Sequence, residues 1–97
     1  MNQDILDQYQ AESDIFKALA HPTRLFIIHT IKDNRLSVQE LTEKVGVDIS
    51  TMSRHLELLK RHAIIAGEKV NNRVYYTLKI PCVLDFMRCA HQVLAER

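Results

Sequence analysis

The stretch from Asp48 to Arg61, DISTMSRHLELLKR, determines how the rest of the chain is interpreted. Its apolar residues recur at intervals of three and four positions, which is the spacing of one face of an α-helix. These residues are Ile49, Met52, Leu56 and Leu59. The other side of the predicted helix carries Ser50, Thr51, Ser53, Arg54, Glu57 and Arg61. Taken alone, this pattern favours an ordinary amphipathic surface helix, because charged residues usually mark a face in contact with solvent.

The polar side of this helix also suits a DNA major groove. Small hydroxyl side chains let the helix backbone approach closely, and hydroxyls and Arg hydrogen-bond to base edges and phosphates. The helix ends in two adjacent bases, Lys60 and Arg61. The sequence on either side of the helix favours this second interpretation.

A short helix and a tight turn are predicted immediately before it. Ser37 and Glu40 have the three-residue spacing of a capping box, which opens a helix. Gly46 is placed to end that helix in a left-handed conformation, and Asp48 is a suitable N-cap for the next helix. Helix, Gly-containing turn and helix, over about residues 37–62, form a helix-turn-helix signature.

Two short β-like segments follow, at residues 65–70 and 73–78. The second is rich in β-branched and aromatic residues, and the intervening Asn71-Asn72 tolerates turn dihedrals. A hairpin after a helix-turn-helix is a wing, here spanning about residues 65–78. Polar residues near its tip suit the phosphate backbone or the minor groove. These residues are Lys69, Asn71, Asn72 and Arg73.

Three more helices are predicted, at residues 3–20, about 22–32 and 81–96, with Pro81 near the start of the last. The fold class is therefore mainly α with a small β-hairpin, a single winged helix-turn-helix domain over residues 1–97. The last helix is apolar around much of its circumference, so it must be covered on more than one side. In so small a domain, we expect another copy of the chain to cover the remaining apolar side of the last helix. The first helix is expected to contribute to the same interface. We therefore expect a homodimer whose recognition helices reach successive major grooves of a pseudo-palindromic, double-stranded DNA operator.

Charge is distributed unevenly, although the net charge is only +1. Residues 1–16 contain four acids and no Lys or Arg, whereas residues 54–79 contain six bases and two acids. The positive potential thus coincides with the predicted DNA-binding surface.

The acidic start and the lack of a long apolar run predict a cytoplasmic protein with no membrane partner and reduced cysteines. An enzyme is not expected, because the sequence shows no plausibly spaced nucleophile and base and no Gly-rich phosphate loop.

Three segments resemble the ArsR/SmtB family of winged-helix repressors: IFKALAHPTRLFIIHTI at 15–31, LSVQELTEKVGVDISTMSRHLELLKRHAII at 36–65, and VNNRVYYTL at 70–78. The resemblance implies a dimeric bacterial or archaeal repressor that leaves its operator when an inducer, often a metal ion, binds. It also implies that Ser50, Thr51, Ser53 and Arg54 make the groove contacts. The predicted DNA-binding set is completed by His55, Lys60, Arg61, Lys69, Asn72 and Arg73.

The metal sites of this family do not carry over to the chain. Arsenic- and cadmium-responsive members have Cys-Val-Cys where this sequence has Ser37-Val38-Gln39. Zinc- and cobalt-responsive members have one Asp and three His on the last helix. Here Cys82 aligns with one of those histidines, and His91 lies near another but not on it. No cofactor is assigned, and the histidines are expected to pack or cap helices, because none has a ligand partner at helical spacing.

Cys82 and Cys89 offer a different sensor. Seven residues rise about 10 Å along a helix, which is too far for a disulfide within one helix. Across a dyad, Cys82 of one subunit could meet Cys89 of the other, with Asp85 nearby. Such pairs suit a soft metal, a metalloid or a redox switch. The alternative is that both cysteines are small apolar residues in the dimer seam.

Three functions therefore remain open at this point. The first is a repressor released by a metal, metalloid or redox signal. The second is a winged-helix regulator without a metal inducer. The third is a winged helix that binds a protein partner. Salt dependence distinguishes this function, because DNA binding should weaken steeply as the salt concentration rises.

Overall fold

The computed structural model describes residues 2–97, which form five helices and a small antiparallel sheet. The elements, in chain order, are α1 (Gln3–Leu19), α2 (Pro22–Ile31), β1 (Leu36–Ser37), α3 (Val38–Val45), α4 (Ile49–Arg61), β2 (Ile65–Val70), β3 (Arg73–Leu78) and α5 (Val83–Ala95). The predicted winged helix-turn-helix is confirmed, and both hairpin strands have their predicted bounds. Within residues 2–97, no helix is both long enough and apolar enough to cross a membrane.

The sheet contains a strand that the sequence analysis did not predict. β1 pairs antiparallel with β3, with Leu36 opposite Tyr76 and Ser37 opposite Tyr75. The strand order is β1-β3-β2, so β3 is central and the wing is attached to the start of α3. A strand of two residues is too short to show an alternating pattern, so it could not be predicted from the sequence.

The predicted helix ends of the helix-turn-helix are confirmed. Glu40 N–H donates to Ser37 Oγ at 3.2 Å, and Ser37 N–H donates to Glu40 Oε1 at 3.1 Å, which completes the capping box. Gly46 ends α3 with φ +82° and ψ 15°, a left-handed conformation that Gly adopts without steric cost. Asp48 Oδ1 accepts a 2.7 Å hydrogen bond from Thr51 N–H at the start of α4.

The core lies between α2, α4 and the base of the hairpin. α2 is central, as predicted, and buries Ile27, Ile28 and Ile31. The buried side of α4 consists of Met52, Leu56 and Leu59. Ile49 was expected in the same stripe, but its side chain is 49% exposed.

The last helix starts two residues later than predicted. Pro81 and Cys82 form a turn in which Leu84 N–H donates to the Pro81 carbonyl and Asp85 N–H donates to the Cys82 carbonyl. These hydrogen bonds span three residues, so the chain is wound more tightly here than in an α-helix. Cys82 nevertheless has helical dihedrals, φ −59° and ψ −22°, so it continues the path of α5.

We expect Ser37→Ala to destabilise the protein by about 1 kcal/mol, because it removes a helix cap at a fully buried site. For a domain of this size, the melting temperature should fall by about 4–8 °C, measured by thermal circular dichroism. Ser53→Ala is the matched control, since Ser53 is exposed on α4 and should leave the melting temperature nearly unchanged. Equal melting temperatures for the two variants would contradict a stabilising role for the cap.

Candidate nucleic-acid interface

Helix α4 turns its polar side toward solvent over its first two turns. Ser50, Ser53 and Arg54 are exposed, and Thr51 is half-buried beside the Asp48 cap. The hydrogen bond from the Thr51 N–H lowers the pKa of the Asp48 carboxyl below its ordinary value. The burial of the opposite side holds α4 so that these polar side chains point away from the domain.

His55, a member of the predicted DNA-binding set, is only partly exposed on α4. Its half-buried ring packs on the ring of His21, with 4.5 Å between centroids, and its Nδ1 lies 3.5 Å from Arg24 Nη1. His21 is itself the cap of α2, because its Nδ1 accepts a 3.0 Å hydrogen bond from Thr23 N–H. His55 therefore links the recognition helix to the junction of α1 and α2, and its side chain does not extend outward with Arg54.

Arg24 is a partner of the recognition helix that was not predicted from the sequence. Its guanidinium lies between α1 and α4, since Nη2 also donates to the Lys17 carbonyl at 3.4 Å. Arg24 Nε is buried without a hydrogen-bond acceptor among residues 2–97. A guanidinium only donates, so His55 Nδ1 must be unprotonated to face it. Position 55, three residues after the buried Met52 and four before the buried Leu59, was the available signal that this ring lies at the edge of the buried face.

Burial, the nearby His21 ring and the charge of Arg24 all lower the pKa of His55 below its ordinary value of 6.5. Burial is the largest of these causes. His55 is therefore neutral at neutral pH, which suits its position beside a permanent cation.

Among residues 2–97, the bases on the exposed side of α4 and on the wing form no ion pair with a carboxylate. Within residues 2–97, the ion pairs join Arg35 to Glu68 and Arg88 to Asp85. The bases without such a pair on this surface are Arg54, Lys60, Arg61, Lys69 and Arg73, all of them exposed. Their charges are available to an external anion, and those at the end of α4 also interact favourably with the helix dipole.

The tip of the wing is a two-residue turn. Asn71 and Asn72 have positive φ angles of 50° and 68°, and the strand residues Val70 and Arg73 pair beside them. Positive φ at both central positions is the geometry of a type I′ turn, which matches the twist of a two-stranded hairpin. The turn keeps Lys69, Asn72 and Arg73 exposed at the end of a stiff projection.

The tentative sensor residues are not assembled within one chain. Cys82 and Cys89 are both free and exposed, at the start and in the middle of α5. The Asp85 carboxylate pairs with Arg88, with 3.1 Å between Oδ1 and Nη1. In the described part of the chain, no three His, Cys, Asp or Glu side chains are grouped to hold a metal. A metal or redox site at these cysteines therefore remains a prediction that requires a second subunit.

Similarity to known proteins identifies the family to which the chain belongs. Residues 19–68 match the family described as a helix-turn-helix domain. The chain is 32% identical to an uncharacterized HTH-type transcriptional regulator of Mycobacterium tuberculosis, over 91% of this chain and 78% of that protein. It is 31% identical to a transcriptional repressor SmtB homolog of Synechocystis, over 86% of this chain and 63% of that protein. The chain belongs to the ArsR/SmtB family of winged helix-turn-helix regulators.

A solved structure has the same fold over the whole length of this chain. The homodimeric DNA-binding domain of a possible ArsR-family regulator from Mycobacterium bovis superposes with a TM-score of 0.81 at 21% identity. The superposition covers 100% of this chain and 90% of that one. The superposition shows the fold, whereas the matches in sequence show that this ArsR/SmtB protein is a DNA-binding transcriptional regulator rather than an enzyme.

We expect acid to destabilise the fold through His55. Because its pKa is lower in the folded chain, the unfolded chain binds a proton more readily. The stability that comes from a neutral His55 is fully present above pH 6.5, the pKa of His in the unfolded chain. It is lost as the pH falls from 6.5 to the lower pKa of the folded chain, and it does not change further below that pH. Urea unfolding between about pH 8 and about pH 5 should show this slope.

His55→Gln should flatten this slope, because it removes the titrating group at the contact with Arg24. His62→Gln is the control, since His62 lies at the end of α4 without that contact. A slope in His55→Gln as steep as in the original protein would show that His55 is not the responsible group.

Proposed function

We propose that this regulator is a homodimeric repressor that binds a pseudo-palindromic operator through α4 and the wing. The observation that supports this most directly is the outward side of α4, where small polar groups and Arg54 are exposed while the opposite side is held in the core. A regulator of this kind acts on DNA in the cytoplasm.

The dimensions of α4 suit a major groove. Its 13 residues correspond to about 20 Å of helix, and the groove is about 12 Å wide. The exposed Ser50 and Ser53 leave room for the backbone to approach, and Thr51 lies beside them. Arg54 has the reach and the paired donors to bind a guanine edge. We assign sequence recognition to this end of the helix.

The remaining bases are assigned to the phosphate backbone. Lys60 and Arg61 lie at the end of α4, about two turns from the predicted groove contacts. Lys69, Asn72 and Arg73 project from the wing and suit the phosphates beside the minor groove. Contacts of this type position the protein on DNA and make its affinity depend on salt.

Dimer formation is supported by apolar surface that a single chain leaves uncovered. Phe16 of α1 and Phe86 of α5 are in edge-to-face contact, with 5.8 Å between ring centroids, yet Phe86 is 63% exposed. Beside them lies an open groove of about 350 Å³, walled mainly by apolar residues of α1, α2 and α5. Val93 and Leu94 extend this surface along α5. A second copy that covers this surface would bury these apolar side chains.

For release from DNA, we propose a soft metal, a metalloid or an oxidant acting at Cys82 and Cys89. Both thiols are exposed and lie on the helix that we assign to the dimer. Joining thiols of two subunits would change how the helices pack and therefore the spacing of the recognition helices.

Arg54→Ala should weaken binding to DNA from upstream of the regulator's own gene by about 1–3 kcal/mol, measured by fluorescence anisotropy. The loss should be larger for the operator than for unrelated DNA, because Arg54 is assigned to base edges. Arg97→Ala removes the same charge at the chain end and is the matched control. Affinity that is unchanged by Arg54→Ala, or insensitive to salt, would instead favour a protein partner.

The same titration tests the dimer. Two chains should bind each operator, and sedimentation of the free protein should give twice the mass of one chain. Leu94→Glu places a charge on the exposed apolar surface and should yield monomers with weak DNA affinity, although it is remote from the groove contacts. Gln39→Glu adds the same charge on α3 and should remain dimeric. A monomeric parent protein that binds its operator fully would contradict the proposal.

Release by an inducer is tested on the reduced protein bound to its operator. Arsenite, cadmium, zinc and a mild oxidant are added in turn, and the anisotropy should fall with at least one of them. Cys82→Ser and Cys89→Ser should each abolish that fall if the two thiols act as a pair. Binding that no agent disturbs would identify both cysteines as packing residues and favour a regulator without a metal inducer.

A further inference from the structure

A separate cavity of about 200 Å³ lies between the end of α2 and the side of α5 that faces it. Its lining consists of His29, Lys32, Leu84, Met87, Arg88 and His91. None of these residues belongs to the predicted DNA-binding set or to the predicted cysteine sensor. Met87 and His91 also line the apolar groove assigned to the dimer, but the cavity itself has no part in the DNA contacts or the cysteine sensor proposed above.

The side chains around this cavity carry only one sign of charge. Two of its six lining residues, Lys32 and Arg88, are cationic, two are histidines and none is acidic. The other two, Leu84 and Met87, are half-buried and give the cavity an apolar wall. An apolar wall beside two cationic groups is suited to a ligand that combines a short carbon skeleton with an anionic group.

Hydrogen-bond donors remain free at the cavity. Lys32 Nζ lies 3.3 Å from His29 Nε2. An ammonium group only donates, so His29 accepts this bond, and two of the three N–H groups of Lys32 remain for a ligand. Arg88 uses Nη1 to bind Asp85, which leaves most of its five donors available. Asp85 offsets part of the local charge but does not line the cavity.

We propose that this cavity binds a small organic oxyanion, a carboxylate or phosphate on a short carbon skeleton, between α2 and α5. The volume agrees with this class, since it equals roughly seven water molecules at about 30 Å³ each. Lys32 and Arg88 hold the anionic group from opposite walls, and Leu84 and Met87 contact the carbon skeleton.

A ligand in this position influences the regulator through two helices at once. α2 carries the core that positions α4, and α5 belongs to the surface that we assign to the dimer. Fixing α2 against α5 biases the arrangement of the two recognition helices, so the anion acts as an effector of DNA binding. This last step rests on the proposed function, whereas anion binding itself does not.

The test is amide NMR of the full chain titrated with sodium succinate and with glycerol 3-phosphate, the two chemical sources of the anion. Sodium chloride at matched ionic strength and the uncharged succinamide are the ligand controls. We expect saturable shifts confined to residues 29–32 and 84–91 with at least one of the two anions. The double variant Lys32→Gln, Arg88→Gln should bind that anion about tenfold or more weakly. Lys79→Gln, an exposed lysine outside the cavity, should bind it as the original protein does.

The absence of saturable shifts with both anions overturns the proposal, as does equal affinity in the double variant while its spectrum remains that of the folded protein. The anisotropy assay is then repeated with the bound anion present, and a changed operator affinity supports the effector role. Anion binding that leaves this affinity unchanged overturns the effector role alone. A chain that binds the anion but no DNA overturns the proposed function and leaves the anion site intact.

Discussion

The packing of α4 against α2 is the constraint on which the other features of this domain depend. Met52, Leu56 and Leu59 are buried against a core to which α2 contributes Ile27, Ile28 and Ile31. Burying an apolar side chain of this size contributes about 1.5–3 kcal/mol, so rotating α4 about its axis would expose several such groups at prohibitive cost. The rotation of α4 is thereby fixed, and with it the direction in which Ser50, Ser53 and Arg54 point.

The features predicted correctly from sequence are those set by neighbouring residues. The capping box at Ser37 and Glu40, the left-handed Gly46 and the Asp48 cap each depend on residues at most four positions apart. The two hairpin strands have the predicted bounds because the Asn71-Asn72 turn marks their junction. For the same reason the helix-turn-helix, and the family to which it belongs, could be identified from the chain alone.

The features that the sequence did not reveal depend on residues far apart in the chain. β1 exists only because β3, some 40 residues later, offers it an edge. His55 packs against His21 and Arg24, which lie more than 30 positions earlier in the chain. Ile49 is exposed although the helical pattern places it in the buried stripe. The roles of Cys82 and Cys89 cannot be predicted from one chain, since they depend on how a second chain packs against α5.

Ser37 links two parts of the protein that are usually described separately. It is the last residue of β1, paired opposite Tyr75, and it is also the cap of α3. A residue inserted between sheet and helix here would remove either the strand pairing or the cap, so the chain length at this point cannot vary. The Asn71-Asn72 turn does not combine two structural roles in this way, because its residues are exposed and pair with nothing beyond the hairpin. Insertions and deletions accumulated during evolution should therefore change the reach of the wing while leaving the junction between β1 and α3 at constant length.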